Sequence, residues 1–252
     1  MMKHKKRRGN SRYYIFFALS LMAILALGLG IFYFMLHLPW LEVKHINITG
    51  NLVVPDSLIY ETCNQHIGTN LFKVPTREIA AKLNDFSRIK SVKVRRRIPA
   101  TIRLTINERK AFLYVKSYEG RLYPIDSEAI VMKSYSPIAN EDIPIFSSYY
   151  TDEQLKSGVR LKKADLNKVI AMHKRVVQEA SDYLPIISEY YLIDNTVYMI
   201  DARYGTRIIP SEEDMATQLK RYQFVQDNGN ISRNKVVDLR FENQVVVKGA
   251  ER

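Results

Sequence analysis

Val92-Lys93-Val94-Arg95-Arg96-Arg97-Ile98-Pro99-Ala100-Thr101-Ile102-Arg103-Leu104-Thr105-Ile106-Asn107-Glu108-Arg109 is the stretch that decides the fold. Val92 and Val94 alternate with Lys93 and Arg95. After Ile98-Pro99-Ala100, Ile102, Leu104 and Ile106 alternate with Arg103, Thr105 and Asn107. Successive side chains on a strand point to opposite faces, so each half reads as a strand buried on one face only. Two such strands joined by a short turn predict an antiparallel hairpin. From Arg88 to Arg97 there are six basic residues and no acid: Arg88, Lys90, Lys93, Arg95, Arg96 and Arg97. They are candidates for contact with anionic headgroups, an acidic wall polymer or an acidic partner. Alternation by itself already turns Lys93 and Arg95 outward, so a solvated strand face is the favoured reading.

Upstream, Leu41, Val43, Ile46 and Ile48 predict a strand closed by Gly50-Asn51. Pro55 and Asp56 open a helix, Pro suiting the first turn and the acid suiting its positive end. Leu58, Ile59, Thr62 and Cys63 fall on one side of it. Cys63 is the only cysteine, so no intramolecular disulfide can form, and its place in the pattern is that of a small packed apolar residue. A second helix is predicted from Thr76 to Leu83, with Ile79, Ala80 and Leu83 inward. The order strand-helix-helix-strand-strand defines an α+β domain over 40–112.

Further upstream, Tyr13 to Leu36 carries no charged residue, no Asn, no Gln and no Pro. As a helix of about 24 residues it spans roughly 36 Å, enough to cross a hydrocarbon core about 30 Å thick. Residues 13–38 therefore read as a transmembrane helix in the lipid bilayer, with Tyr13, Tyr14, Tyr33 and Trp40 near its ends. The tail, residues 1–12, holds Lys3, Lys5, Lys6, Arg7, Arg8 and Arg12 and no acid. The positive side stays in the cytoplasm, so this topology signal places everything from Leu38 onward on the outer face. A cleaved signal peptide would have a shorter apolar run and a small-residue cleavage site, and neither is present. Half of the +12 formal charge lies in those first twelve residues. The basic excess is thus largely a topology signal, and no nucleic acid partner is expected.

Downstream, residues 113–252 are richer in strands. Ala111–Val115 and Arg121–Ile125 flank the turn Tyr118-Glu119-Gly120, and Ala129–Met132 follows another turn. Ile143–Phe146 is short and extended. A helix from about Lys162 to Ala180 has Leu166, Val169, Ile170, His173 and Val177 on its apolar face, and His173 reads as a packed residue rather than a ligand. Tyr190–Ile193, Val197–Asp201 and Thr206–Ile209 form a meander. Ser211, with an acid at Asp214, reads as the cap of a second helix whose inner face is Met215, Leu219 and Tyr222. Strands at Val236–Phe241 and Val245–Lys248 close the chain.

The first outer domain resembles a POTRA domain. The residues that carry this are Ile46–Asn51, Gly68–Phe72 and above all the pattern V-x-V-x-R-x-x-P-x-T-I-x-L-x-I-x-E-R from Val92 to Arg109. One POTRA domain directly outside one basic-flanked membrane helix resembles the FtsQ/DivIB family of bacterial cell-division proteins, of the DivIB type. Leu122–Asp126, Ile143-Pro144-Ile145 and Val237–Phe241 are similar to its second, β-rich domain, although Ala129 stands where the family often has Gly. The resemblance implies a non-enzymatic bitopic scaffold of the divisome at the division septum. It would bind DivIC/FtsB-like and FtsL-like partners and help to control the septal wall synthase complex and peptidoglycan synthesis. It also implies partner contacts at the end of the second domain, on Arg240, Phe241, Val245, Val246 and Val247. A chain-terminal strand at a sheet edge supplies an independent motive for that placement.

The sequence contains no G-x-S-x-G, H-E-x-x-H, Gly-rich phosphate loop or C-x-x-C. The expectation is no catalytic site, no metal and no cofactor. The rival classes are a membrane-anchored wall-active enzyme and a POTRA-bearing transport component. The first predicts turnover of wall fragments. The second would need a barrel for which the strands are too few.

Overall fold

The computed structural model describes residues 11–135, 142–211, 214–229, 231, 235–242 and 244–249. Helix α1 runs Ser11–Met35, and Tyr13–Met35 is long and apolar enough to cross a membrane. Of the basic tail, Arg12 falls on the first turn of α1, whereas Lys3, Lys5, Lys6, Arg7 and Arg8 lie outside the described residues. The chain divides into two compact units. One takes the chain up to Thr49, Asp56–Ala81 and Lys93–Thr105; the other takes Gly50–Pro55, Lys82–Val92 and the chain from Ile106 onward.

After α1 come β1 (His45–Thr49), α2 (Asp56–Cys63), α3 (Thr76–Asn84), β2 (Ile89–Arg97) and β3 (Thr101–Glu108). This is the strand-helix-helix-strand-strand order of the sequence reading. The strands form a sheet in the order β1-β3-β2, with β1 parallel to β3 in the register His45↔Thr101 to Thr49↔Thr105. Alternation holds: Ile102 and Leu104 are fully buried, and Lys93 and Arg95 are exposed. Ile59, Cys63 and Ile79 are buried on the helices as their spacing requires. Burial pushes the Cys63 thiol up to about 11, so it stays a protonated packing group.

The predicted first strand is corrected. Leu41 belongs to a 3-10 turn, Pro39–Leu41, and β1 begins only at His45. Leu41 and Val43 are nevertheless buried. Their backbone pairs with a loop instead of a sheet strand: Val43 N donates to Thr69 O (2.9 Å), Gly68 N to Val43 O (2.9 Å) and Leu71 N to Leu41 O (2.8 Å). The period of two was real, but its partner is the 68–71 loop.

The second unit carries β4 (Leu113–Lys116), β5 (Leu122–Ile125), β6 (Ile145–Ser147), β7 (Ile187–Ile193), β8 (Thr196–Asp201), β9 (Arg207–Ile209), β10 (Val236–Asp238) and β11 (Val246–Lys248), with α4 (Ala164–Glu179) and α5 (Met215–Asn228). Among the described residues the sheet order is β11-β10-β9-β8-β7-β6-β4-β5. Val115, Phe146, Tyr190, Met199, Ile208 and Val237 share one cluster with Leu166, Val169, Leu219 and Tyr222, so both helices cover the same face. The β7–β8 hairpin turns on Asp194 and Asn195, both at positive φ, as expected for short polar side chains in a primed turn.

Four local expectations are corrected. Ala129–Met132 makes only isolated bridges, Ile125↔Val131 and Ile130↔Arg160. Ala129 takes a left-handed φ of 63°, the conformation that favours Gly. On α4 the inward residues include Met172 and Val176, and Val177 is exposed. The cap of α5 is Asp214, whose side chain accepts from Thr217 N; Ser211 lies outside the helix, and its N–H donates to Gln218 Oε1. The strand predicted over Val236–Phe241 ends at Asp238.

Two stability comparisons follow from burial and backbone geometry. Leu104→Ala removes fully buried methyl groups and is expected to cost about 2–5 kcal/mol. Arg103→Ala, on the opposite face, is expected to change the melting midpoint little. Gly50 has φ +89°, and a Cβ there would lie 2.2 Å from Ile106 O. Gly68 has φ +80° with open space around the same position. Gly50→Ala should therefore lower the midpoint in urea well beyond Gly68→Ala, which carries backbone strain of about 1–2 kcal/mol alone.

Candidate functional site

β11 is the end strand of the large sheet. It pairs antiparallel with β10 in the register Val236↔Lys248, Val237↔Val247 and Asp238↔Val246, and β10 pairs parallel with β9. Among the described residues no strand pairs with the outer side of β11. Paired residues share a face, so Val247 lies on the helix-covered face beside Val237, and Val246 and Lys248 lie on the other. Val245 packs partly against the core, Val246 is half-buried and Val247 is 43% exposed. Phe241 follows β10 and is 46% exposed, so it is not a core residue.

One buried carboxylate organises this edge. Asp238 is fully buried. Arg240 Nε donates to its Oδ1 at 2.9 Å and Arg240 Nη2 to its Oδ2 at 2.7 Å; Lys248 Nζ reaches Oδ2 at 3.2 Å. The Arg240 hydrogen bonds hold the carboxyl down at about 2, with Lys248 adding to the effect. Arg240 thus supports β10 and β11 as well as standing at the surface. Asp238 and Lys248 were missing from the sequence-predicted set. The Asp-x-Arg spacing was visible, but the contact with Lys248 needs the strand register.

The basic run of the hairpin is placed unevenly. Lys90, Lys93, Arg95, Arg96 and Arg97 are exposed. Arg88 is buried, at 3% exposure, which removes it from any contact surface. It precedes β2, and its carbonyl accepts from Arg109 N. Lys90 pairs with Glu128 at 3.3 Å, and Arg96 Nη2 donates to Val74 O at 2.7 Å. Lys93, Arg95 and Arg97 form the outward set of β2.

Among the described residues no group of three His, Cys, Asp or Glu is placed to hold a metal. His173 is buried against the edge of Phe112, and its Nδ1 lies 3.0 Å from Tyr190 Oη. Burial lowers it to about 4, so the ring is neutral at neutral pH.

Comparison with known proteins agrees with this architecture. Residues 41–109 match the family model of the POTRA domain, FtsQ-type. The chain is 29% identical over 98 residues to the cell division protein DivIB of Clostridium acetobutylicum, a stretch that is 39% of each chain. It is 24% identical over 166 residues to DivIB of Solibacillus silvestris, covering 66% of this chain and 57% of that one. These two matches span less than two thirds of the relatives' own lengths. A third, to DivIB of Bacillus cytotoxicus, is 25% identical over 247 residues and covers 94% of this chain and 88% of the relative.

The Asp238 cluster gives a pH signature. A carboxyl held at about 2, against an ordinary value of 3.8, contributes stability that is complete above pH 4 and lost as pH falls through 2. Asp238→Asn should flatten the acid limb of a stability-versus-pH curve in that window. It should also lower stability at pH 7 by about 1–3 kcal/mol, because the bonds to Arg240 and Lys248 lose their charge.

Proposed function

We propose that this chain, of the FtsQ/DivIB type in its POTRA domain and in its end-to-end similarity to DivIB cell-division proteins, is a non-enzymatic scaffold of the division machinery. Helix α1 anchors it in the cell membrane, with the basic tail in the cytoplasm and the domains 40–112 and 113–252 outside, at the division septum. Its partners are DivIC/FtsB-like and FtsL-like proteins, and through them it helps to control septal peptidoglycan synthesis.

The observation that carries the reading is the outer side of β11, with which no strand pairs among the described residues. An edge strand offers a row of backbone N–H and C=O groups to an extended partner segment, which gains affinity from main-chain hydrogen bonds and specificity from side-chain pockets. Phe241 and Val247 supply exposed apolar surface beside that edge. Arg240 and Lys248, held by Asp238, frame it with positive charge. Charge at the rim selects an acidic segment and speeds encounter more than it adds affinity.

The test is binding of the full chain in detergent to a DivIC-like partner. Phe241→Ala is expected to weaken binding by about 2 kcal/mol or more, as truncation of an apolar anchor does. Val247→Pro removes a backbone donor that faces away from β10 and should weaken binding as well. Circular dichroism first establishes that each variant is folded. Folded variants with wild-type affinity would place the partner site elsewhere.

A further inference from the structure

The hairpin between β2 and β3 carries an exposed apolar residue among cations. Ile98 is 64% exposed, next to Arg96 and Arg97, while Lys93 and Arg95 continue the outward face of β2. Arg103 lies on the same face of β3, one residue from the buried Ile102 and Leu104. No acid occurs in β1 or in residues 93–105. Alternation explains why these cations face outward, but it does not explain an exposed Ile at the tip.

Hydrogen bonds link the base of this tip to the end of α1. Asn70 Nδ2 donates to Met35 O, the last carbonyl of the helix, at 3.1 Å. Thr69, beside it, accepts from Val43 N, and the next two amides, Lys44 N and His45 N, both donate to Ala100 O at 2.8 and 3.1 Å. About two strand-to-strand spacings, roughly 10 Å, therefore separate the loop at the helix end from Ala100, at the base of the hairpin tip. The apolar segment is slightly longer than the hydrocarbon core, so its end lies at the headgroup layer. The base of the tip is then about one Debye length from that layer at 0.1 M salt, and the long basic side chains beyond it are in reach of an anionic surface, which attracts them.

We propose that the tip Arg96–Pro99, with Lys93 and Arg95, is a second membrane contact: its cations bind anionic phospholipid headgroups of the leaflet in which α1 ends, and Ile98 enters the interface. This inference rests on the reading of α1 as a membrane span. A basic segment with an apolar residue at its apex is suited to that layer, where the guanidinium groups meet phosphate and the side chain meets acyl carbon. The contact would fix the tilt of the POTRA domain over the membrane.

The test uses the full chain in nanodiscs, with a polarity-sensitive thiol dye on Ile98→Cys. The native Cys63 is buried and protonated, so the dye reports position 98 alone. In phosphatidylglycerol nanodiscs the emission should shift to shorter wavelength relative to phosphatidylcholine nanodiscs. The shift should be lost in 1 M NaCl, where the Debye length is about 3 Å, and in the Arg95→Gln/Arg97→Gln variant. Both replacements leave the Arg96 bond to Val74 in place. Failure of the chain to co-elute with nanodiscs would overturn the span itself, and this inference with it. Co-elution with equal emission in both lipids would overturn the headgroup contact and leave the span standing. A shift produced by soluble poly(glycerol phosphate) without anionic lipid would reassign the tip to a wall polymer and also overturn the proposal.

Discussion

Much of the structure depends on how the backbone of residues 41–45 is satisfied. A segment leaving a membrane-length helix could be a loose tether, its amides bonded to water. Here Leu41 and Val43 are buried, and buried backbone groups left unpaired would cost about 1–3 kcal/mol each. The 68–71 loop and Ala100 take up those groups, and Asn70 closes the end of α1. The segment is thereby fixed between helix and sheet. One consequence is that β1 enters parallel to β3 in a single register, because His45 must stand beside Thr101. A slip of one residue would turn Ile46 and Ile48 toward solvent. The other consequence is that the base of the hairpin tip is held close to the end of α1.

The same segment shows what could be read from the sequence. Leu41, Val43, Ile46 and Ile48 announce an extended chain with one buried side, and that is correct. Periodicity reports burial, not the identity of the pairing partner, so the loop at 68–71 was invisible. The hairpin was legible because both strands and the turn are contiguous, although β2 begins at Ile89, ahead of the alternation from Val92. On α4 the stripe Leu166, Val169, Ile170, His173 continues equally well to Val176 or Val177, three or four residues on. Packing selects Val176, and only tertiary structure fixes that phase. At α5, Ser211 and Asp214 are both good caps three residues apart. Asp214 wins by accepting from Thr217 N in a left-handed conformation that Asp tolerates better than most residues.

Of the candidate surfaces, composition identified the residues and topology supplied their meaning. A last strand can end anywhere in a sheet; here it ends at the edge, and that came from the order of eight strands. Arg88 shows the converse. Its place at the head of a basic run suggested a surface role, and burial removes it. Charge in a sequence marks potential partners, but exposure decides which charges are available.

The large sheet also contains polar groups that a purely apolar core would not need. Tyr222 Oη donates to Asp201 Oδ2 at 2.8 Å, and Asp201 Oδ1 accepts from Arg203 N at 2.7 Å. Thr206 Oγ1 donates to Gln226 Oε1 at 3.1 Å, and His173 meets Tyr190. Each bond adds little net stability, but each penalises any arrangement that leaves its buried partner unmet. Together with Asp238 they tie α5, the β8–β9 turn and the last strands to one geometry. A strand edge held this way loses less freedom when a partner strand adds to it, so more of the interaction energy appears as affinity. If this chain and the proposed partner are anchored in one membrane, effective concentration adds to this. On the proposed reading, an edge of three residues, too small for tight binding between freely diffusing proteins, relies on both conditions to hold its partner.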